Sequence, residues 1–138
     1  MAEKPMIAVG ELAVGYEFPS ASYNLNSEKV ALYLKAVGGG GRLFRDGNLV
    51  PPTAIAAYAM AGLGASMALV EGTIHTHQEM EFKKAVSVGE KVTCRARVSR
   101  NLARGKFHFL NIDLDVRDSR QQVVLAGQAG FILPQTGN

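Results

Sequence analysis

From Gly47 to Val70 the chain carries no charged residue, and a double proline, Pro51-Pro52, stands near the start of that stretch. An α-helix on the surface of a soluble protein keeps one polar face, so a segment with none has to be enclosed. The stretch reads as a helix from about Pro52-Thr53 to about Leu69. Ile55, Ala56, Ala59, Met60, Leu63 and Met67 lie along one face, and Ala57, Ala61 and Ala65 make the other face apolar too. The expectation is a helix covered all round, with its alanines and glycines letting a sheet approach the backbone closely. Directly after it, Ile74 to Phe82 (IHTHQEMEF) reads as a strand, and a turn at Gly89-Glu90-Lys91 leads into another. One uncharged helix followed by antiparallel strands implies a single helix wrapped by a single sheet.

The rest of the chain fits that scheme. Tyr16 to Leu25 reads as a first strand that ends near Pro19 or resumes after it. Asn26-Ser27-Glu28 is a helix start, with a short polar side chain to cap free N–H groups and an acid where the helix dipole favours it. Val30, Tyr33, Leu34 and Val37 then recur at helical spacing, and Gly38 ends the helix. Val92, Cys94, Ala96 and Val98 alternate with Thr93, Arg95 and Arg97, and Leu110, Ile112, Leu114 and Val116 alternate with Phe109, Asn111, Asp113 and Asp115. Both are period-two patterns with one buried face. Arg104-Gly105 and Asp118-Ser119-Arg120 fall where hairpin turns are needed, and Val123 to Leu133 closes the sheet before Pro134. The fold class is α+β, in one domain over residues 1–138.

Composition excludes some functions. A net charge of +3 with no basic stripe gives no nucleic-acid signature. Two prolines, two glycines and many alanines make Leu49–Val70 too weakly hydrophobic for a membrane span. Cys94 is the one cysteine, so no internal disulfide forms. With no signal-like run at the start, a reducing cytoplasm is the expected home.

Several side chains invite sharper readings. His75, His77, Glu79 and Glu81 share one face of the strand, because side chains two apart point the same way, and two histidines with two carboxylates suggest a metal such as zinc. Residues two apart stand about 6.5–7 Å from one another along a strand, so two of the four can share an ion but not all four. A polar strand face is the simpler reading, and no metal is expected. The glycine run Gly38 to Gly41 lacks the strand-before, helix-after context and the Lys-Ser/Thr of nucleotide loops. Arg95, Arg97, Arg100, Arg104 and Lys106 read as a solvated sheet face, with coenzyme A phosphates or a partner subunit as the functional alternatives. Cys94 lies on the inward face and reads as an inert buried thiol.

Taken in order, the helix ending Ala36-Val37-Gly38, the opening Pro51-Pro52-Thr53 of the apolar helix, the strand His75-x-x-x-Glu79-x-Glu81-Phe82 and the turn Val88-Gly89-Glu90 resemble the MaoC-like dehydratase/(R)-specific enoyl-CoA hydratase family of the hotdog fold, over about residues 9 to 134. The likeness is greatest to its N-terminal-half or non-catalytic-subunit members. That resemblance implies a long antiparallel sheet around a central helix, pairing as a dimer, and hydration or dehydration of acyl thioesters by an Asp-x-Asn-Pro-x-His motif after the first helix. Laid on this chain, Gly39 stands at the aspartate position and Phe44 at the histidine position. Neither moves a proton, so the family's acid/base chemistry has no source in this loop.

The resemblance therefore implies an acyl-CoA-binding protein, acting as the non-catalytic half of an enoyl-CoA hydratase or 3-hydroxyacyl dehydratase. Its partner would be a catalytic hotdog subunit; the alternative assembly is a homodimer. Coenzyme A enters as part of the substrate, not as a cofactor. Pro52, Thr53, Tyr58, Arg42 and Arg45 are the substrate-binding candidates. An autonomous thioesterase would need a carboxylate near the helix, and only Asp46 and Glu71 flank it. A third reading is a homodimer that holds acyl-CoA without converting it.

Overall fold

Five strands form one antiparallel sheet in the computed structural model, which describes residues 7–8, 12–38, 48–68 and 70–135. Its strands are β2 (Ala21–Asn24), β4 (Ile74–Phe82), β5 (Lys91–Arg104), β6 (Phe107–Arg117) and β7 (Val123–Pro134), in spatial order β2-β5-β6-β7-β4. Two further short strands, β1 (Ile7–Ala8) and β3 (Met67–Ala68), pair in parallel. Alternation sets the sheet's two faces as expected. Val92, Cys94, Val98, Leu110, Ile112, Leu114 and Val116 are buried, whereas Arg95 and Arg97 are exposed. Each large aliphatic side chain enclosed in this way contributes roughly 1.5–3 kcal/mol. The β5–β6 hairpin turns through Gly105 at φ +60°, and the β6–β7 connection is built on Asp118.

The first strand is shorter than Tyr16–Leu25. Pro19 has no N–H to give a ladder, so the chain touches β5 at the isolated pair Glu17↔Arg97 and becomes a strand only from Ala21. Helix α1 (Ser27–Ala36) starts as read, with Asn26 Oδ1 accepting from the Lys29 N–H at 2.9 Å, and Gly38 follows it at φ +93°.

Helix α2 (Pro52–Gly64) has Pro52 in its first turn, where the missing N–H costs nothing. Asn48 to Val50 are held against Val86 and Val88, which fixes where the helix begins. Ala54, Ile55, Ala59, Gly62 and Leu63 are buried on β2, β5 and β6. At Gly62 an added Cβ would stand 3.1 Å from the Ala21 Cβ, so glycine lets helix and sheet close up there.

Two expectations about this helix are corrected. It stops at Gly64 and not near Leu69: the last turn carries two glycines, the poorest non-proline helix formers, and Met67 is buried in β3. Nor is it covered all round, since Ala57, Ala61, Gly64 and Ala65 are exposed in the single chain. The core lies on the other side, in two clusters bridged by Met80. One surrounds α1 and Ile55; the other gathers Leu12, Phe18, Leu63, Met67, Leu110, Phe131 and Leu133.

Strand β4 matches Ile74–Phe82 but is not regular. Its pairing with β7 runs His75↔Phe131 and then His77↔Gly130, so Thr76 is an extra residue. Such a bulge reverses the parity of everything beyond it. His77, Glu79 and Glu81 share the outer face, while His75 turns to the inner face with Gln78, Met80 and Phe82. The four-residue cluster expected from a regular strand therefore does not exist.

Candidate functional site

The glycine-rich stretch of sequence between α1 and α2 contains Gly39, Arg42, Phe44, Arg45 and Asp46, all outside the described residues. The other site residues expected from the sequence divide between the two ends of α2. At its N-terminal end Pro52 and Thr53 are exposed, and the Thr53 hydroxyl is joined to Tyr33 by a hydrogen bond that the Tyr33 hydroxyl donates at 2.5 Å. One turn on, Tyr58 is half-buried against Tyr23, ring centroids 4.7 Å apart, and Lys29 Nζ lies 5.7 Å from the Tyr23 centroid and 5.9 Å from that of Tyr58. Burial raises the Tyr23 phenol above its ordinary value, helped by Cys94 and Tyr58 nearby.

At the C-terminal end of α2 an open apolar cleft of about 280 Å³ is lined by Met60, Leu63, Gly64, Met67, Thr73, His75 and Phe131. Met60, Leu63 and Gly64 come from the helix. Met67 comes from the chain just after it, Thr73 and His75 from the start of β4, and Phe131 from β7. The His75 imidazole stacks on the Phe131 ring with centroids 4.8 Å apart and planes at 22°. Thr73 Oγ1 donates to the Val70 carbonyl at 2.6 Å, so that hydroxyl proton is already engaged. His75 is thus the one titratable side chain on the lining. Glu71 is exposed and not among the lining residues.

The cleft's chemistry is one-sided. Its walls suit an alkyl chain, and its one imidazole could accept or give a proton, but no second acid or base faces it. A larger groove of about 440 Å³ lies between Glu17, Phe18 and Ser20 and the side chains of Arg95, Arg97, Asp113, Asp115 and Arg117. Its lining is charged, and four of its six charged side chains pair within the chain: Arg97 with Asp113 at 3.9 Å and Arg117 with Asp115 at 3.5 Å. The apolar cleft is the better candidate for an uncharged substituent. Cys94 is no nucleophile, because burial, with the Asp115 charge adding to it, pushes its thiol up to about 12. Among the described residues no three His, Cys, Asp or Glu side chains gather to hold a metal, and no helix is long and apolar enough to cross a membrane.

Sequence reasoning placed Met60, Leu63 and Met67 on one apolar face but missed Thr73, His75 and Phe131 as companions. The missing signal is the bulge at Thr76, which turns His75 inward and has no signature in the alternation.

The dehydratase domain region of the FAS1-like family matches residues 12–126 of this chain. No curated protein sequence matches it. Among solved structures the chain is similar to the R-hydratase PhaJ1 from Pseudomonas aeruginosa in its unliganded form, with a TM-score of 0.80 and 17% identity over 93% of this chain and 86% of that one. It is similar as well to the MaoC-like dehydratase from Rhodospirillum rubrum, with a TM-score of 0.76 and 17% identity over 94% and 97% of the two chains. A third is the C-terminally truncated HadBC (3R-hydroxyacyl-ACP dehydratase) complex from Mycobacterium tuberculosis, with a TM-score of 0.70 and 15% identity over 86% and 96%. At such identities the structures testify to a shared hotdog fold, and the family match testifies to descent. The chain belongs to the FAS1-like dehydratase-region family, a MaoC-like dehydratase family of hotdog fold.

Proposed function

We propose that this protein binds the acyl portion of an acyl-CoA thioester and serves as the non-catalytic half of a hydratase or dehydratase. The observation that carries the reading is the apolar cleft beside α2, which offers walls for an alkyl chain and a single imidazole. Adding water across a conjugated thioester needs a base to take the water proton and an acid to protonate the α-carbon. Gly39 and Phe44 hold the positions where family members keep that pair. A partner hotdog subunit would supply it. Room for such a partner exists: Ala57, Ala61 and Ala65 leave one side of α2 bare, Phe82 is 44% exposed, and β4 is hydrogen-bonded on one edge only among the described residues. An exposed edge strand is a template for another chain. HadBC is itself a dehydratase solved as a complex, which supports a heteromeric assembly.

Each methylene of a chain entering the cleft contributes about 0.8 kcal/mol, close to a fourfold gain in affinity. Titration calorimetry with coenzyme A, butyryl-CoA and hexanoyl-CoA tests the reading. Affinity rises with chain length, and Gly64→Phe removes the gain. That position lines the cleft, and an added Cβ there meets nothing within 4 Å, so the core is spared. Equal affinity for coenzyme A and hexanoyl-CoA would contradict the proposal.

A further inference from the structure

The face of the sheet turned away from α2 has a pattern that the acyl-binding reading does not use. Strand register places Arg95, Asp115, Ala126 and Glu81 in one row across β5, β6, β7 and β4, and Arg97, Asp113, Gln128 and Glu79 in the next usable row. Further along, Leu102, Phe109, Ile132 and Ile74 make an apolar row on the same face. The arginines therefore stand on β5 beside Asp115 and Asp113 of β6, the glutamates stand on β4 with Lys83 Nζ 3.4 Å from Glu81, and apolar surface lies at one end. Ile74 is 58% exposed, although large apolar side chains seldom stay open without a purpose when grouped. The polar row is already ordered, with Gln128 Nε2 donating to Asp113 Oδ1 at 3.0 Å and His77 Nε2 lying 3.3 Å from Gln128 Oε1.

We infer that this outer face pairs with the outer face of a second copy of the chain, about a two-fold axis parallel to the strands and midway between β6 and β7. That operation exchanges β6 with β7 and β5 with β4 and keeps each row opposite itself. Arg95 then meets the second copy's Glu81, Arg97 meets its Glu79, Leu102 meets its Ile74 and Phe109 meets its Ile132. Every contact occurs twice, as an isologous interface requires. No two like charges oppose each other in these rows, since Asp113 meets the second copy's Gln128 and Asp115 its Ala126. Between them Arg100 and His77 come together without an opposite charge; they are the weakest element of the match.

Four strands spaced about 4.8 Å apart, over the length from Glu81 to Ile74, give a flat area of roughly 500 Å² per copy. This lies below the roughly 800 Å² per partner of a standard stable interface, so the association is weak and concentration-dependent. It uses the sheet face, leaving both the cleft and the β4 backbone edge free.

Sedimentation equilibrium on the purified chain, on Arg97→Glu, on Glu79→Arg and on the double variant is the test. The wild type shows a concentration-dependent association step. Each single variant weakens it about tenfold or more, because two attractions become two repulsions. The double variant, with both signs exchanged, recovers it. Arg97→Glu sets a carboxylate opposite Asp113 and beside Glu17 of its own chain, so its unfolding temperature falls somewhat; sedimentation is run well below each variant's unfolding temperature, with circular dichroism as the control for folding. Hexanoyl-CoA titrations of the same variants read the cleft separately and are expected to match the wild type. A wild type with no such step, an unaffected Arg97→Glu, or a double variant no better than the singles overturns the inference.

Discussion

Replacing Gly127 by alanine tests how β4 is held, and with it the wall of the cleft. A Cβ on Gly127 would lie 2.1 Å from the Glu79 carbonyl oxygen, 2.7 Å from the Met80 sulfur and 3.2 Å from the Glu79 carbonyl carbon. A carbon and a carbonyl oxygen approach to about 3.3 Å at best, so the oxygen must retreat by about 1.2 Å. Met80 can swing away, but the carbonyl belongs to the strand. Moving it stretches the neighbouring ladder bonds from about 2.9 Å to about 4 Å, outside hydrogen-bonding range. Two lost ladder bonds at about 1 kcal/mol each, with at least about 1 kcal/mol of overpacking, give a destabilisation of about 3 kcal/mol. That is a large share of the roughly 7–20 kcal/mol expected for a chain of this length. Urea denaturation measures the loss, and amide exchange locates it in β4, which among the described residues is tied to β7 alone. Gly64→Ala is the control: nothing stands within 4 Å of its Cβ, and a helical position gains up to about 1 kcal/mol from alanine. A change below about 0.5 kcal/mol for Gly127→Ala, with β4 protection intact, would refute the reasoning.

Asp118 makes stability depend on acid. Its buried carboxylate accepts from Lys84 Nζ at 2.6 Å and from the Gln122 and Arg120 N–H groups, and the Lys84 contact foremost holds its pKa below the ordinary carboxylate value. The stabilisation is present above the unfolded value near 3.9 and is lost as pH falls through the lower folded value, so Asp118→Asn flattens the acid limb of the denaturation curve. Cys94, with its thiol pushed up to about 12, resists iodoacetamide in the folded protein and reacts only when denaturant exposes it. Fast alkylation of the native protein at about pH 8 would contradict that burial.

Much of this fold can be read from the chain because its strands β5 and β6 each bury one clean face. Val92, Cys94 and Val98 against Arg95 and Arg97 leave a single choice of inward side, and Gly105 and Asp118 mark the turns. Helix α1 is equally plain from Asn26 and the Val30–Leu34 stripe. Where α2 ends is not legible, because a segment apolar on every side has no phase to break; Met67 suits a buried strand as well as a buried helix. Nor did alternation reveal that His75 and His77 face opposite ways, since counting by twos assumes that no residue is skipped. The meeting of His75 with Phe131, residues far apart in the chain, follows from that one irregularity and from strand register. The substrate-binding candidates Arg42 and Arg45, and the motif positions Gly39 and Phe44, lie outside the described residues, so their part in the account rests on side-chain chemistry alone.

The most direct test of the central claim is the hydration of crotonyl-CoA, followed by loss of its enoyl-thioester absorbance, with the purified chain alone and with a hotdog subunit that carries the intact Asp/His motif. The account predicts no turnover by the chain alone and a gain in rate when the two are combined. Sustained hydration by the isolated chain, abolished by His75→Ala, would contradict it and assign the catalysis to the cleft itself.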